Sequence, residues 1–289
     1  MVELDYVVIG HVTRDLSSDG FRIGGTAAYA ACTARALGCR VGIITSTGPD
    51  LELREPLRTV QVAQLPAPES TTFENRYVDG RREQVIHGTA KMLRPAMVPP
   101  DWRAAIAHIG PVAQECDTTL VDAFGDSFIG LTPQGWMRRW DERGRVSRSR
   151  WRDAEELLAG ADAVVLSTED VGGRKTLAAQ YAAQTKVLAL TLGAAGCAVY
   201  AEGVRREFAP PRVVERDPTG AGDVFATGFF RALADGFDPW AAARFANCLA
   251  ASSVTRRGLS GVPDVEEVAL CRQITLEGLS CDADRLCAG

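Results

Sequence analysis

Short apolar runs rich in β-branched residues recur along the chain and alternate with stretches of helical character. Runs of this length are typical of strands that are buried on both faces. The helical stretches between them, around 113–124, 153–159 and 172–183, would serve as crossover connections between parallel strands. The alternation therefore predicts an α/β fold with a mostly parallel central sheet covered by helices on both faces. The predicted strands lie at 5–10, 40–45, 106–109, 127–131, 161–167 and 187–191.

Two regions depart from this alternation. Residues 71–78 and 82–87 are strand-like but polar, and Asp79-Gly80-Arg81 between them is a turn-forming sequence, so they predict a hairpin outside the main core. After residue 220 the pattern becomes helical. The predicted C-terminal helices lie at 221–235, 239–256 and 264–271.

The composition excludes several classes of protein. The 289 residues are 46% apolar and 24% charged, which is ordinary for a globular chain that forms one large domain or two small ones. A net charge of -5 argues against a nucleic-acid partner. No apolar run reaches the ~18 residues that a membrane span needs. Glu3 and Asp5 stand where a signal peptide would carry Lys or Arg, so a cytoplasmic protein is expected.

The cysteines form no CxxC pair, and most of them sit in apolar runs. Without an export signal, buried or incidental thiols are expected. A metal site built from Cys271, Cys281 and Cys287 is not expected, because no His lies near them.

The segment DPTGAGD, 217–223, carries the most chemical information. Gly220, Ala221 and Gly222 have little or no side chain where a helix begins, so their amides can bind an anion such as a phosphoryl group in transfer. Asp223, in the first turn, is placed to accept a proton from an attacking hydroxyl. The segment lacks the Lys of a Walker A loop and is not GxGxxG. The alternative interpretation is a Gly-rich turn capped by an acid.

DPTGAGD followed by VFATGFF is similar to the C-terminal signature of the PfkB, or ribokinase-like, family of sugar and nucleoside kinases. GGTAAYAACTARALG, near the N-terminus, resembles that family's other signature. The resemblance runs along essentially the whole chain. It implies one ribokinase-like domain over 1–289, a three-layer α/β/α sandwich with a mostly parallel central sheet. It also implies a small β lid built from about 11–24 and 70–90, and an ATP- and Mg²⁺-dependent kinase acting on a small sugar or polyol.

The resemblance assigns roles to particular residues around the phosphates. Asp223 would be the general base, and Gly220, Ala221 and Gly222, with the Asp223 amide, would form an anion hole. A monovalent cation such as K⁺ is implied behind that anion hole. Its ligands would be Asp217, Thr219, Ser253, Arg256 and Gly258. The nucleotide would be bound by Thr191, Gly193 and Gly196 of TLGAAG, together with Ser167 and Asn247.

On the acceptor side, the resemblance implies that Asp15 accepts hydrogen bonds from substrate hydroxyls, which suits a vicinal diol. Gly24 and Gly25 would let substrate approach the backbone, and Asn75 would face it from the lid. The lid would close over substrate and exclude water. Lid hairpins of this family often pair across a dimer, so a homodimer through the lid is plausible.

The sequence also departs from the family pattern. Tyr29 stands where many sugar kinases of the family have an Asn that contacts substrate. The family's Asn-x-x-Glu motif appears as Ser167-Thr168-Glu169-Asp170, which makes Asp170, with Glu169 as a competing candidate, the residue that would organise Mg²⁺ through water.

The segment LTPQGWMRRWDERGRV, 131–146, with TTFENRYVDG, resembles the plant myo-inositol kinase branch, in which Gln134, Arg138 and Asp141 fit the spacing. The arginine-rich run 138–152 has a nucleic-acid interpretation, because arginines and tryptophans can bind phosphates and stack on bases. The net charge and the kinase signatures favour a solvated loop with ion pairs instead.

Three functions are therefore in competition. The first is a kinase for a small sugar or polyol. The second is a nucleoside kinase of the same fold, in which Tyr29 or Phe73 would stack on the base. The third is a catalytically silent regulator that binds a nucleotide or sugar, against which the retained Asp223 and the intact GAGD sequence argue.

Overall fold

The architecture is built around a nine-stranded sheet, seen in a computed structural model that describes residues 1–18, 20–53, 57, 59–78 and 81–287. The strand order is β15-β14-β13-β12-β9-β8-β1-β4-β5. All neighbouring pairs from β13 to β5 are parallel, and β14 is antiparallel to both of its neighbours. The strands are β1 Val2–Ile9, β4 Val41–Thr47, β5 Gln61–Pro66, β8 Trp102–Ile109, β9 Phe128–Leu131, β12 Ala163–Ser167, β13 Val187–Thr191, β14 Cys197–Ala201 and β15 Val204–Phe208.

Helices cover both faces of this sheet, and the strand sequences show why. Along β12, Ala163 and Val165 pack into one core cluster while Val164 and Leu166 pack into the other. Strands buried on both faces need apolar residues at every position, which is the pattern that predicted a parallel sheet. The predicted α/β fold with a mostly parallel, doubly covered sheet is confirmed. The helices are α1 Thr26–Ala36, α2 Ala154–Gly160, α3 Lys175–Ala182, α4 Ala221–Ala234, α5 Pro239–Ser253 and α6 Val265–Cys287.

A second sheet of four strands, in the order β3-β2-β6-β7, lies at the segments predicted to form a lid. Its central pair, β2 and β6, is parallel, and the outer pairs are antiparallel. The Asp79-Gly80 part of the predicted turn lies outside the described residues. That this sheet closes over a substrate stays a prediction. The strands are β2 Thr13–Ser17, β3 Gly20–Gly24, β6 Thr72–Val78 and β7 Arg81–Gly88.

A hairpin that the sequence did not predict docks on the edge of this second sheet. It consists of β10, Arg138–Trp140, and β11, Val146–Arg148, and the Ile86 amide of β7 donates to the Gly144 carbonyl in its turn. Gly144 has φ 74°, and a side chain there would overlap the Ile86 carbonyl. Only glycine combines that conformation with so close an approach. The hairpin is therefore coupled to the edge of the second sheet.

Two expectations were wrong. The helix predicted at 113–124 is a 3₁₀ turn over Thr118–Phe124, because residues 110–116 instead form a loop held by the buried Glu115 side chain. The cysteines are not all thiols, because Cys248 of α5 and Cys271 of α6 form a disulfide. The two cysteines are 23 residues apart in sequence. Because α5 and α6 pack together, the Cα atoms of the two cysteines lie 5.6 Å apart, within the range of a disulfide. Four other cysteines are buried and free, namely Cys32, Cys39, Cys116 and Cys197.

Candidate active site

Asp223 lies in the first turn of α4, at the edge where the parallel strands of the central sheet end. Ligands of open α/β sheets bind at this carboxyl edge. Gly220 precedes the helix with φ 80°, a left-handed conformation that glycine adopts without strain, and it turns the chain into the helix axis. The amides of the first turn therefore point outward beside Asp223, as an anion-binding helix start requires.

The surroundings of Asp223 raise its pKa to about 6. The largest cause is loss of hydration in the partly enclosed site, and the negative charges of Asp15 and Asp170 add to it. A hydrogen bond from the Thr26 side chain and the positive charge of Arg138 act in the opposite direction. A carboxylate with a pKa near neutrality is suited to accept a proton.

Tyr29 lies beneath this loop instead of in an open substrate pocket. It is 3% exposed, and a side chain on Gly220 would overlap its ring. Burial raises the pKa of the Tyr29 phenol well above its ordinary value, and the nearby charges of Asp15, Asp223 and Asp217 raise it further. The aromatic ring on α1 therefore packs against the Gly220 turn, a contact that the sequence did not reveal.

Asp15, predicted to bind substrate hydroxyls, lies on β2 close enough for its charge to act on Asp223. The Thr13 hydroxyl donates to Asp15 Oδ1 at 2.9 Å. Gly24 is required here, because a side chain would overlap the Asp15 carboxylate, and Gly25 lies against the His11 carbonyl. The sequence-predicted acceptor residues Asp15, Gly24 and Gly25 are therefore together beside the predicted base.

Asn75 lies on β6, where its Oδ1 accepts a hydrogen bond from Gln84 Nε2 at 3.2 Å. Phe73, on the same strand, is 4% exposed, and the guanidinium of Arg138 lies 5.7 Å from its ring centroid. The second sheet thus contributes a polar pair and a covered aromatic ring near the site.

The segment that replaces the family's Asn-x-x-Glu motif forms a closed loop at the end of β12. Asp170 Oδ2 accepts hydrogen bonds from the Ser167 amide and hydroxyl, both at 2.7 Å. Loss of hydration raises the pKa of Asp170, although those hydrogen bonds and the charge of Arg138 oppose the shift. Glu169 is exposed beside it. Two carboxylates at this edge form a set of hard oxygen donors that fits Mg²⁺ bound largely through water.

The predicted nucleotide segment 191–196 is a tight turn between β13 and β14. The Leu192 amide donates to Gly196 O at 2.7 Å, and the Gly196 amide donates to Gly193 O at 2.9 Å. Thr191 pairs with Ser167 across the two strands, so the turn lies next to the Asp170 loop. Asn247 is 4% exposed, and its amide nitrogen donates to Phe208 O at 3.0 Å. Its side-chain amide is therefore occupied by the backbone.

Of the five residues predicted to bind a monovalent cation, three meet behind the α4 loop. Asp217 accepts hydrogen bonds from the amides of Thr219 and Gly258, each at 3.0 Å. The Ser253 hydroxyl donates to Ala250 O at 2.8 Å, and the Arg256 guanidinium forms an ion pair with Glu267 at 2.6 Å. Within the described residues, no cluster of three or more His, Cys, Asp or Glu side chains is arranged to hold a metal ion.

Known proteins agree with this geometry. Residues 146–265, which include the Asp170 loop and the Asp223 turn, match the model of the pfkB family of carbohydrate kinases. These residues, a little under half of the chain, are similar to PfkB kinases. A cytidine kinase of Thermococcus kodakarensis is 28% identical over 259 residues, covering 81% of this chain and 90% of that one. An inositol 3-kinase of Oryza sativa subsp. japonica is 26% identical over 294 residues, covering 89% and 70%.

Solved structures agree on the fold. The sulfate complex of a pyrophosphate-dependent kinase in the ribokinase family superposes with a TM-score of 0.79 at 21% identity. It covers 91% of this chain and 99% of that one. The chain therefore has the ribokinase fold, and the relatives that it matches in sequence are named kinases. Among the described residues, no helix is both long and apolar enough to cross a bilayer.

One feature of this site was missed in the sequence. Three of the arginines that the sequence assigned to a solvated loop line a cleft of about 630 Å³ between the β10–β11 hairpin, β7 and the Asp170 loop. Gln134 and Arg138, two residues of the myo-inositol kinase spacing, line it as well. Asp141 does not, because its carboxylate accepts from the Arg143 and Arg145 amides in the hairpin turn. The sequence shows a high density of arginine in this segment. The arginines lie beside the site because the hairpin docks on β7, a contact that the sequence did not predict.

Proposed function

We propose that this chain transfers the terminal phosphoryl group of ATP, bound with Mg²⁺, to a hydroxyl of a small sugar or polyol. The observation that carries the proposal is the position of Asp223, a carboxylate with a pKa of about 6 beside outward-pointing amides and across from Asp15. A regulator without catalysis would have no need to place a carboxylate of raised pKa in this position.

The proposed reaction uses the chain's own groups in sequence. One acceptor hydroxyl donates to Asp15, and a neighbouring hydroxyl donates to Asp223, which takes its proton as the oxygen bonds to the terminal phosphorus of ATP, the bond from that phosphorus to the bridging oxygen breaks and ADP leaves. The amides from Gly220 to Asp223 stabilise the negative charge that spreads over the transferred phosphoryl oxygens. Asp170 and Glu169 would hold Mg²⁺, which neutralises phosphate charge when it is bound.

The surroundings of Tyr29, Phe73 and Asp15 favour a polyol or sugar acceptor over a nucleoside acceptor. The nucleoside interpretation needs an aromatic face for the base, yet Tyr29 lies under the α4 loop and Phe73 is covered beside Arg138. Asp15, held by Thr13, suits adjacent hydroxyls instead. A nucleoside acceptor is the second candidate, because the cytidine kinase relative aligns with 81% of this chain.

The test is a panel of acceptors with ATP and Mg²⁺, followed by ADP release and by the mass of the phosphorylated product. The panel holds myo-inositol and other polyols, ribose and fructose, and cytidine and other nucleosides. We expect one polyol or sugar to turn over fastest and Asp223→Asn to abolish that turnover. Asp101→Asn, an exposed aspartate at the start of β8, should leave it unchanged.

Each other outcome is informative. Preferential phosphorylation of cytidine would replace the polyol proposal with the nucleoside one. ATP binding without turnover of any acceptor would favour the silent regulator. The lid assignment is tested in the same assay, since Asn75→Ala should raise the acceptor KM if β6 covers the acceptor.

A further inference from the structure

The cleft of about 630 Å³ at the Asp170 loop is lined by arginines that the reaction outlined above does not use. We propose that it binds the phosphoanhydride chain of the phosphoryl donor, so that the donor is recognised through its phosphates and with little regard for its base. The inference rests on the proposed kinase function and names how its donor is selected. Inorganic tripolyphosphate, which has the phosphates and no nucleoside, should therefore bind by itself.

Three arginines of the hairpin line this cleft, namely Arg138 and Arg148, one from each strand, and Arg145, which pairs with Asp141 in the turn. Arg138 Nη1 donates to Val112 O at 3.1 Å, and the Arg138 charge lowers the pKa of both Asp223 and Asp170. It is thus close to the predicted base and to the predicted Mg²⁺ residue at once. A cation in that position can bind an anion that lies between those two carboxylates.

Arg148 reaches the other wall of the cleft. A β-carbon placed on Gly172 would lie 2.8 Å from the Arg148 Cζ, so the guanidinium crosses from β11 to the loop that follows Asp170. Gly172 has φ 59° and, having no side chain, leaves room for it. A planar guanidinium presents paired N–H groups that match phosphate oxygens.

The basic surface continues outward from Arg148. A second, more open cleft of about 600 Å³ shares this residue and is lined further by Arg139, Arg150 and Arg152. The chain as a whole carries a net charge of -5, so this local concentration of positive charge opposes the general field. Such a surface attracts polyanions selectively to one entrance.

Gln84, the partner of Asn75, lines the cleft from the second sheet, but two carboxylates in its wall favour the donor over the acceptor. Its wall includes Glu169 and Asp170, the carboxylates that would hold Mg²⁺ against phosphates. The acceptor residue Asp15 lies on β2 of the second sheet, where Thr13 and Gly24 hold it. Asn247, which was predicted to bind the nucleotide, is 4% exposed, and its side-chain amide donates to Phe208 O instead of facing a nucleobase. Phosphates are therefore the better-recognised part of a donor.

The experiment is calorimetric titration of the full chain with tripolyphosphate and Mg²⁺, with and without ATP. We expect tripolyphosphate to bind and ATP to displace it. Arg148→Ala should weaken both ligands by about tenfold, since a hydrogen bond to a charged group is worth at least that factor. Arg143→Ala is the matched control, because Arg143 is an exposed arginine of the same hairpin outside the cleft lining. It should bind both ligands like the wild type.

Kinetics separate the donor from the acceptor. Arg148→Ala should raise the KM for ATP and leave the acceptor KM unchanged. In the wild type, the KM values of ATP, GTP and CTP should lie within about threefold of one another, a difference in free energy of under 1 kcal/mol. An acceptor KM that rises while the ATP KM stays constant would assign the cleft to the acceptor and overturn the inference. A lack of tripolyphosphate binding, or binding that ATP does not displace, would overturn it too.

Failure of the kinase proposal gives a different result. If no acceptor is phosphorylated but tripolyphosphate binds, competes with ATP and depends on Arg148, the cleft assignment holds and only the reaction is wrong. Arg148→Lys keeps the charge without the planar fork, so binding between that of the wild type and that of Arg148→Ala is expected.

Discussion

Glu115 and Asp223 are carboxylates at the same edge of the central sheet, but their surroundings are opposite. Glu115 is 3% exposed and accepts hydrogen bonds from the amides of His11, Val112 and Ala113 at 2.6 to 2.9 Å. Asp223 is partly exposed, and lost hydration raises its pKa to about 6 against a hydrogen bond from Thr26. Amides that converge on a carboxylate stabilise its charge, whereas a site that removes water without supplying them raises the carboxyl pKa.

The two carboxylates consequently do different work for the same site. Glu115 joins the end of β1, through His11, to the loop that follows β8. That loop supplies the Val112 carbonyl to which Arg138 donates. Glu115 thus shapes the edge of the site, whereas Asp223, with a hydrogen bond from Thr26 and a raised pKa, is the group that we propose as the base.

The largest effect that we predict from this contrast is a fall in the rate of the chemical step when Asp223 is replaced. Asp223→Asn should lower kcat by ~10²–10⁴-fold, the usual effect of removing a general base. The loss should fall on kcat and leave the KM for ATP nearly unchanged, because the anion-binding amides belong to the backbone. Steady-state kinetics with the best acceptor, and ATP calorimetry beside them, measure both. Retention of more than about a tenth of wild-type kcat would exclude Asp223 as the base.

The second prediction concerns the stability of the satisfied carboxylate. Glu115→Gln places an NH₂ group against backbone amides that can only donate, so the free energy of unfolding should fall by roughly 3 kcal/mol. Urea denaturation gives the difference, with Glu215→Gln, an exposed glutamate, as the matched control. A loss below about 1 kcal/mol would mean that solvent or rearranged backbone replaces the carboxylate.

The third prediction is the pH dependence of turnover. Asp223 acts as a base only when it is deprotonated, so kcat should be constant well above pH 6 and fall about tenfold per unit well below it. Arg138→Gln removes a charge that lowers this pKa, so the midpoint should move upward. The pH–rate profiles of the two proteins provide the comparison. A midpoint that stays near the ordinary pKa of an aspartate would contradict the arrangement of charges around Asp223.

The sequence predicted the parts of this site that depend on local chain geometry. The Gly220–Asp223 turn and the alternating strands are such parts, because a left-handed glycine and apolar periodicity leave a signature in neighbouring residues. Glu115 and the arginine cleft left none. The partners of Glu115 include His11, 104 residues away, and Arg148 meets Gly172 only because the hairpin folds across the sheet edge. The antiparallel strands β14 and β15 were also missed, because β14 is a short buried run and β15 is an exposed edge strand with three consecutive charged residues.

The smallest effect that we predict links the base to folding. The pKa of Asp223 is higher in the folded chain, at about 6, than the ~3.9 of an unfolded aspartate. The folded state therefore binds the proton more tightly, and the ionised side chain destabilises the fold increasingly as pH rises from about 4 to 6. Asp223→Asn removes that penalty and should raise the free energy of unfolding by about 1 kcal/mol at pH 8, an amount reduced because the group is partly exposed to solvent. The gain should vanish at pH 4, where the wild-type carboxyl is protonated when folded. Urea unfolding at both pH values measures it, and an equal gain at pH 4 and pH 8 would assign the effect to packing or to helix capping instead of charge.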